Sequence, residues 1–431
     1  MKTGNELYES NKIEEKKIIT AKSKIVDPMS IDSYIKLGGY EGLKKALKMG
    51  PADIISEVKL SKLKGRGGAG FPTGIKIESV RDIVANIKYL VCNADEGEPG
   101  NFKDKYLLEN DPHQLLEGII ISAFAAGTTK GFFYIRGEYD KAIEIMQNAI
   151  KQAKEKGFIG EKILGGEFSF DIEIKSGAGA YICGEEFALI ESLEGKVGRP
   201  RNKPPYPTVS GVFNKPTLLN NVETFSTIPY IISNGSAAFT AIGTNTSSGT
   251  RIVSLSGNVK NKGIYEVPFG TSIKDIIFGL GGGIPDDRKI KMVQLGGASG
   301  PCIPASMLDL KLDYSEFSAA GLSMGSCAVL VIDERFDVLD IVEILIKFFK
   351  HESCGKCTPC REGISQMLIL LDRFKKNTAT VADLKLLKSL CSVMNQTSFC
   401  GLGQAAPTAV VSTIKYFREE YLKGIKMKKS S

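Results

Sequence analysis

Apolar and polar positions change rhythm three times along the chain. Ile31 to Met49 carries apolar residues at helical spacing and stops at Gly50-Pro51, which predicts one helix. A glycine-rich loop follows, Gly65-Arg66-Gly67-Gly68-Ala69-Gly70-Phe71-Pro72-Thr73-Gly74. Short apolar runs then alternate with amphipathic stretches. Tyr89 to Cys92, Phe132 to Ile135 and Asp171 to Lys175 predict strands. Between them, a helix capped by Asp111-Pro112 runs to Ala126 and Gly127, and a second spans Ala142 to Lys156. A second glycine loop, Gly177 to Gly184, opens a helix over Glu185 to Leu193. The texture changes near Arg251. Ile252 to Ser256, Ile264 to Val267, Met292 to Leu295 and Ala328 to Ile332 read as short strands, with a helix near Ile273 to Phe278. From Val338 to Tyr421 the pattern is helical throughout.

Strand and helix in alternation imply a mostly parallel sheet with helices on both faces, followed by a small α+β unit and a helical bundle. A chain of 431 residues is too long for one core. The expected divisions are a polar arm over 1–29, an α/β domain over 30–245, an α+β domain over 246–335 and a bundle over 336–431. No apolar run approaches the roughly 20 residues that span a bilayer, and the start of the chain lacks an apolar signal core. The expectation is a cytoplasmic protein whose membrane contact, if any, is through partners. The net charge of +7 is dispersed, apart from a basic tail at Lys423, Lys426, Lys428 and Lys429. No basic stripe with interleaved aromatics accompanies that tail, so a solvated tail is favoured over a nucleic-acid partner.

Cysteine changes the picture. There are nine, an odd number that argues against a disulfide framework in a cytoplasmic chain. Cys354, Cys357 and Cys360 form C-x₂-C-x₂-C, and Cys400 stands 40 residues beyond. Three thiolates at that spacing can wrap three corners of a cubane, with the fourth supplied from a distant segment. A zinc site usually takes paired C-x₂-C knuckles, and one thiol of the triplet would be left over. Cys391 competes as fourth ligand. Cys400 is preferred because Gly401 and Gly403 let backbone approach closely. Lys356 and Arg361 can offset the cluster's negative charge. Cys92, Cys183, Cys302, Cys327 and Cys391 are read as buried packing. His351 and His113 are the only histidines, so a His-rich metal centre is excluded.

The glycine loop at Gly65 matches neither G-x-G-x-x-G nor the P-loop pattern, and alone it is a weak signal. It does set Arg66, Phe71 and Lys76 around backbone able to approach phosphate, as a flat nucleotide needs. Two acidic clusters stand where ribose hydroxyls suit carboxylates: Asn93-Ala94-Asp95-Glu96-Gly97-Glu98 at the end of a strand, and Glu185-Glu186 at a helix start. The plain alternative for the second is compensation of the helix dipole. Asn220, Asn221 and Thr224 supply donors at another helix start.

Taken together, GRGGAGFPTG, NADEGEPG, GAGAYICGEE, KPPYP, NNVET, ESCGKCTPCREG and SFCGLG closely resemble the NADH-binding flavoprotein subunit of respiratory complex I. Its soluble relatives in NAD-linked hydrogenases and formate dehydrogenases are similar too. The likeness runs from about Ile31 to Tyr421. It implies a Rossmann-like FMN-binding domain, a β-grasp-like α+β domain and a C-terminal helical bundle. It also implies FMN held by Gly65, Arg66, Gly67, Lys76, Asn93, Asp95, Gly184, Glu185, Asn220, Asn221 and Thr224, with Gly68 and Glu96 as further cofactor-binding positions. NAD(H) would lie over the flavin with Phe71 on the adenine, contacted by Tyr181 and Lys203, with Glu98 and Glu186 as the catalytic positions. A [4Fe–4S] cluster would sit on Cys354, Cys357, Cys360 and Cys400. The implied partners are a thioredoxin-like [2Fe–2S] subunit and further iron–sulfur subunits. The sequence departs from the family at Ile77, Phe187 and Tyr206, where Trp, Thr and Phe are common. GGASGPCIP and ESCGKC look more like the soluble hydrogenase-type relatives, many of which carry extra ferredoxin-like domains that are not expected here.

FMN can take a hydride pair and return electrons singly, so flavin and cluster make functional sense on one chain. Two other readings stay open: an FMN oxidoreductase with a small-molecule acceptor and a structural cluster, and a non-catalytic zinc or iron–sulfur scaffold.

Overall fold

Asp111 caps its helix as the sequence predicts. Its carboxylate accepts the Gln114 N–H at 3.2 Å, Pro112 occupies the first turn, and Gly127 at φ 69° closes the helix Pro112–Ala126. The protein is described here by a computed structural model covering Asn5, Tyr8 and residues 13–426. Lys428 and Lys429 of the basic tail, and most of the first twelve residues of the polar arm, lie outside the described residues.

Four strands form an all-parallel sheet in the order β3-β2-β1-β4: β1 Tyr89–Ala94, β2 Lys130–Ile135, β3 Asp171–Ser176 and β4 Thr217–Asn221. The pattern did not foretell β4, a short strand whose last two residues, Asn220 and Asn221, read as a helix start. Chain order reverses between β1 and β4, and ligands of such sheets bind beyond the strand ends at that switch point. The face with Leu90, Cys92, Phe133 and Ile135 packs into a core with the helices Pro112–Ala126 and Val222–Asn234. The other face, with Tyr89, Val91, Phe132 and Tyr134, packs into a core with the helix Glu186–Leu193 and the C-terminal helices.

The single helix expected over Ile31 to Met49 is two, Ile31–Lys36 and Glu41–Met49. Packing overrides the helical spacing. A Cβ on Gly39 would lie 2.1 Å from the Tyr34 ring. Tyr40 takes φ 62°, stacks on Phe158 at 3.9 Å and donates its N–H to Glu117 at 3.0 Å. The described part of the arm is pinned too: buried Glu266 accepts the N–H groups of Ile18 (3.1 Å), Ile19 (3.0 Å) and Thr20 (2.8 Å).

The second sheet is mixed, in the order β6-β5-β9-β7-β8: β5 Thr250–Gly257, β6 Gly263–Pro268, β7 Ile290–Leu295, β8 Cys302–Ile303 and β9 Ala328–Asp333. β5 and β9 run parallel and the other pairs antiparallel, a β-grasp arrangement. β8 has two residues, too few for a period-two signal. The helix expected near Ile273 to Phe278 is present, but its hydrogen bonds widen to a π-helical turn over Asp275–Leu280. The C-terminal pattern resolves into helices Val338–Glu352, Thr358–Lys375, Val381–Thr397, Gly401–Ala405, Thr408–Tyr416 and Arg418–Lys423. Among the described residues, no helix is long and apolar enough to cross a membrane.

Candidate functional site

The first glycine loop is closed by a bridge between Lys64 and Pro72 and by the Gly65 N–H donating to Phe71 O at 2.8 Å. Its Arg66 N–H donates to Thr224 Oγ1 at 2.9 Å, and a Cβ on Gly67 would meet Asn221 Cβ at 3.3 Å. The loop thus presses its backbone against the end of β4. The Arg66 guanidinium turns inward, donating to Ser248 O and Thr250 O, both at 3.2 Å. Loop backbone therefore faces a cavity of about 580 Å³, which Glu98, Tyr181, Gly184, Glu185, Asn221 and Ser299 also line.

At the switch point, Asn93 donates to Gly184 O at 2.9 Å and accepts the Asp95 N–H at 3.1 Å. Both Asp95 carboxylate oxygens are buried without a hydrogen-bond partner among the described residues, as is Asn220 Nδ2. Burial pushes the Asp95 carboxyl up to about 7, against the pull of Arg136. Unpartnered buried polar groups are rare and call for an explanation. Asp95 and Asn220 stand at the ends of β1 and β4 but are not among the residues that line the 580 Å³ cavity, and His113 Nε2, Ser226 Oγ and Gln294 Nε2 share their condition.

Other predicted residues are already engaged by the fold. Glu96 accepts the N–H groups of Asp104 and Lys105, both at 3.0 Å, and so caps the helix Lys103–Asn110, whose own cap residue, Phe102, cannot. Asn221 caps Val222–Asn234 through the Glu223 N–H at 3.0 Å, accepts from Lys103 at 3.1 Å and donates to Asp104 at 2.6 Å. Glu185 caps Glu186–Leu193, accepting from Phe187 N at 3.0 Å and Ala188 N at 2.9 Å. Lys203 lies 2.7 Å from Glu185 and 2.6 Å from Glu186. Burial opposes its charge, but those two hydrogen bonds hold its pKa above the usual value. Lys76 donates to Leu219 O at 3.1 Å, and burial lowers its pKa. Phe71 stays half exposed beside Lys76, free to stack on a ligand.

Glu98 is gripped from two sides. Tyr181 OH donates to Oε2 at 2.7 Å, and Ser299 donates through N at 2.9 Å to Oε1 and through Oγ at 3.2 Å to Oε2. Burial raises its pKa. Gly297 sits at φ 87°, and a Cβ there would lie 2.0 Å from Glu98 Cγ, which explains the second glycine of GGASG.

Cys354, Cys357, Cys360 and Cys400 line one cavity with Ile182, Lys356, Phe399 and Leu402. Cys357 and Cys400 are the residues before two helices, and Cys360 lies in the first turn of Thr358–Lys375. The thiols surround the space; among the described residues, no three His, Cys, Asp or Glu side chains are grouped for a single ion. Four thiols around one cavity form the donor set a cubane takes. Phe399 N donates to Cys357 Sγ at 3.5 Å, and Ser353 Oγ lies 3.2 Å from Cys360 Sγ. Cys391 is elsewhere, buried 3.8 Å from Met367 Sδ. Of the two glycines after Cys400, only Gly403 is sterically required: its Cβ would stand 2.9 Å from Cys360 Cβ, whereas one on Gly401 meets nothing. Lys356 donates to Pro200 O at 2.6 Å and Arg361 to Gly355 O at 2.7 Å, so both cations are partly committed to backbone. His351 is exposed. His113 is buried with Nδ1 3.0 Å from Tyr40 OH, and burial lowers its pKa to about 4.

Two family models match the chain: the Nuo51 FMN-binding domain over residues 58–230 and the NADH-ubiquinone oxidoreductase-F iron-sulfur binding region over residues 340–424. The NADP-reducing hydrogenase subunit HndC of Solidesulfovibrio fructosivorans is 49% identical, across 94% of this chain and 82% of its own length. The second F subunit of the NADH-quinone oxidoreductase of Rhizobium meliloti is 46% identical, across 92% and 95%. The chain belongs to the family of NADH-quinone oxidoreductase F subunits. A member of this family is an NADH-oxidising flavoprotein, and the two matched regions are its FMN-binding and iron–sulfur parts. A solved NAD⁺-reducing [NiFe]-hydrogenase in its H₂-reduced state aligns with a TM-score of 0.81 at 37% identity. It covers 89% of this chain, which spans 64% of the hydrogenase chain.

Sequence reasoning missed a buried ionic cluster of which Lys103 and Asp104 line the 580 Å³ cavity of this flavoprotein. Glu223 is fully buried, 3.0 Å from Lys103, 3.4 Å from Arg251 and 4.0 Å from Arg66. Lys103 is also 2.7 Å from Asp104. Glu223 stood inside NNVET as a spacer, and Lys103 and Asp104 just after NADEGEPG; a charge-rich stretch abutting a motif was the available signal. The departures Ile77 and Phe187 are both buried, with Lys203 5.5 Å over the Phe187 ring, whereas Tyr206 is exposed.

Proposed function

We propose that the 580 Å³ cavity holds FMN at its switch-point end and NADH across Glu98 and Tyr181, and that the four-cysteine cavity holds the [4Fe–4S] cluster that takes the electrons onward. One observation supports this above the rest: Ile182 and Leu402 line both cavities, so one layer of side chains separates them. FMN, when bound, converts a two-electron hydride donor into a one-electron source. The chain's own work is placement. The loop backbone at Gly65–Gly68 and the unpartnered groups of Asp95 and Asn220 would hold the flavin. Glu98, fixed by Tyr181 and Ser299, and the Glu186–Lys203 pair would hold the dinucleotide.

The onward path requires an acceptor. The family likeness points to a thioredoxin-like [2Fe–2S] subunit within a larger assembly, and the HndC and Rhizobium meliloti relatives are themselves subunits. The name of the HndC relative favours NADP(H) as a second reading of the nucleotide, and Glu186 argues against it. The test is anaerobic titration of the chain, loaded with FMN and iron–sulfur, with NADH. The expected result is bleaching of the flavin band together with a reduced-cluster signal in low-temperature EPR. Flavin bleaching with a cluster that stays silent at all potentials reached would show that the cluster is structural.

A further inference from the structure

We infer that Glu352 is a positioning residue for nucleotide binding: it fixes Tyr181, and through Tyr181 the carboxylate of Glu98, so the helix entering the cluster loop also sets the nucleotide end of the cavity. The inference rests on reading that cavity as the nucleotide site.

Glu352 is the last residue of the helix Val338–Glu352, directly before Ser353-Cys354. A carboxylate at a helix C-terminus is disfavoured by the helix dipole, and Lys350 and His351 beside it show the usual preference. Its compensation comes from far along the chain. Glu352 Oε2 accepts the Tyr181 backbone N–H at 2.9 Å. Tyr181 opens the tight turn Tyr181–Gly184, so this N–H has no partner within its own turn. The same helix holds the Tyr181 ring: Phe348 and Phe349 meet it edge-on, with centroids 5.1 Å and 6.2 Å away. With backbone and ring fixed, the Tyr181 hydroxyl donates to Glu98 Oε2 at 2.7 Å. The Glu185 and Glu186 carboxylates follow that turn directly, so its placement governs theirs as well.

The experiment uses the full chain loaded with FMN and cluster, and measures NAD⁺ binding by calorimetry without turnover. Wild-type binding tests the reading of the cavity; the variants test the role of Glu352. E352A leaves the Tyr181 N–H unpaired and is expected to weaken NAD⁺ binding about tenfold. E352Q keeps an accepting oxygen and is expected to restore binding to within about threefold of wild type. In a Y181F background the E352A change should cost less than in the wild type, because the link to Glu98 is already cut and only the route through Glu185 and Glu186 remains. Iron content and the EPR signal should be unchanged throughout. If E352A does not fold, E352D, one methylene short of the N–H, replaces it in the same comparisons. Wild-type affinity in E352A, or E352Q as weak as E352A, would overturn the positioning role. No NAD⁺ binding by wild type would overturn the nucleotide reading and this inference with it.

Discussion

Glu186→Gln tests nucleotide choice directly. Glu186 opens its helix 2.6 Å from Lys203, which is also 2.7 Å from Glu185. Glu185 and Glu186 share this ammonium, and Lys76 is a further cation near Glu186. Ribose hydroxyls can donate to the Glu186 carboxylate, whereas a 2′-phosphate beside it would bring like charges together. The variant leaves Lys203 paired with Glu185 alone, a neutral pair, and keeps an oxygen able to accept. A hydrogen bond to a charged group contributes about 1.5–3 kcal/mol. The Glu186 side chain retains 27% of its exposure, so solvent screening favours the lower end of that range. At 1.36 kcal/mol per decade this is roughly a tenfold loss in kcat/KM for NADH, reaching a hundredfold only if bound nucleotide excludes water completely. NADPH use should fall less or rise, and any gain should shrink with added salt. The assay is kcat/KM for both nucleotides with an artificial one-electron acceptor. An unchanged NADH-to-NADPH ratio would remove Glu186 from the ribose site, and with it the placement of the dinucleotide.

Serine in place of Cys354, Cys357, Cys360 or Cys400 should abolish the cluster's iron and EPR signal, and Cys391→Ser should keep both; the reverse result for Cys391 and Cys400 would refute the ligand set. Glu223→Gln should cost about 3–5 kcal/mol in urea unfolding, because it removes the buried charge beside Lys103, Arg251 and Arg66; a loss below about 1 kcal/mol would show that the cluster of charges does not depend on it. Burial raises the Asp111 carboxyl from 3.8 to about 7, so folding favours its protonated form, and its contribution is lost as pH rises from about 4 through about 7. Asp111→Asn keeps an oxygen for Gln114, so its stability advantage should grow from pH 5 to pH 8, to on the order of a few kcal/mol; a gap independent of pH in thermal unfolding would refute the assignment.

Where local chemistry decides the structure, the sequence showed it. Asp111-Pro112 and Gly127 bound their helix as expected, since capping needs only neighbours in sequence. The paired loops and the cysteine spacing were legible for the same reason. What escaped were features set by distant partners. Tyr40 breaks a helix because Phe158 and Glu117 hold it. Arg66, expected to face a ligand, is drawn inward by Ser248 and Thr250 more than 180 residues away. Ser299 matters because it meets Glu98 across 201 residues, and GGASG reveals that purpose only once the chain is folded.

The stretch Asn93 to Glu98 puts three carboxylates at one strand end, and burial raises the pKa of each. Two have a structural reason to be there. Glu96 caps a helix, and Glu98 is held by Tyr181 and Ser299. Asp95 has no such reason: both oxygens are buried and unpartnered, a costly arrangement for the fold alone. Asn220 Nδ2, on the neighbouring strand, shares that condition. Local departures from consistency with the fold are expected where function requires them. On that ground we propose Asp95 and Asn220 as flavin contacts, whereas the contacts of Glu96 and Asn221 are already explained by the fold. Removing Asp95 should therefore weaken FMN retention while leaving stability unchanged or raised, whereas removing Glu96 should lower stability first.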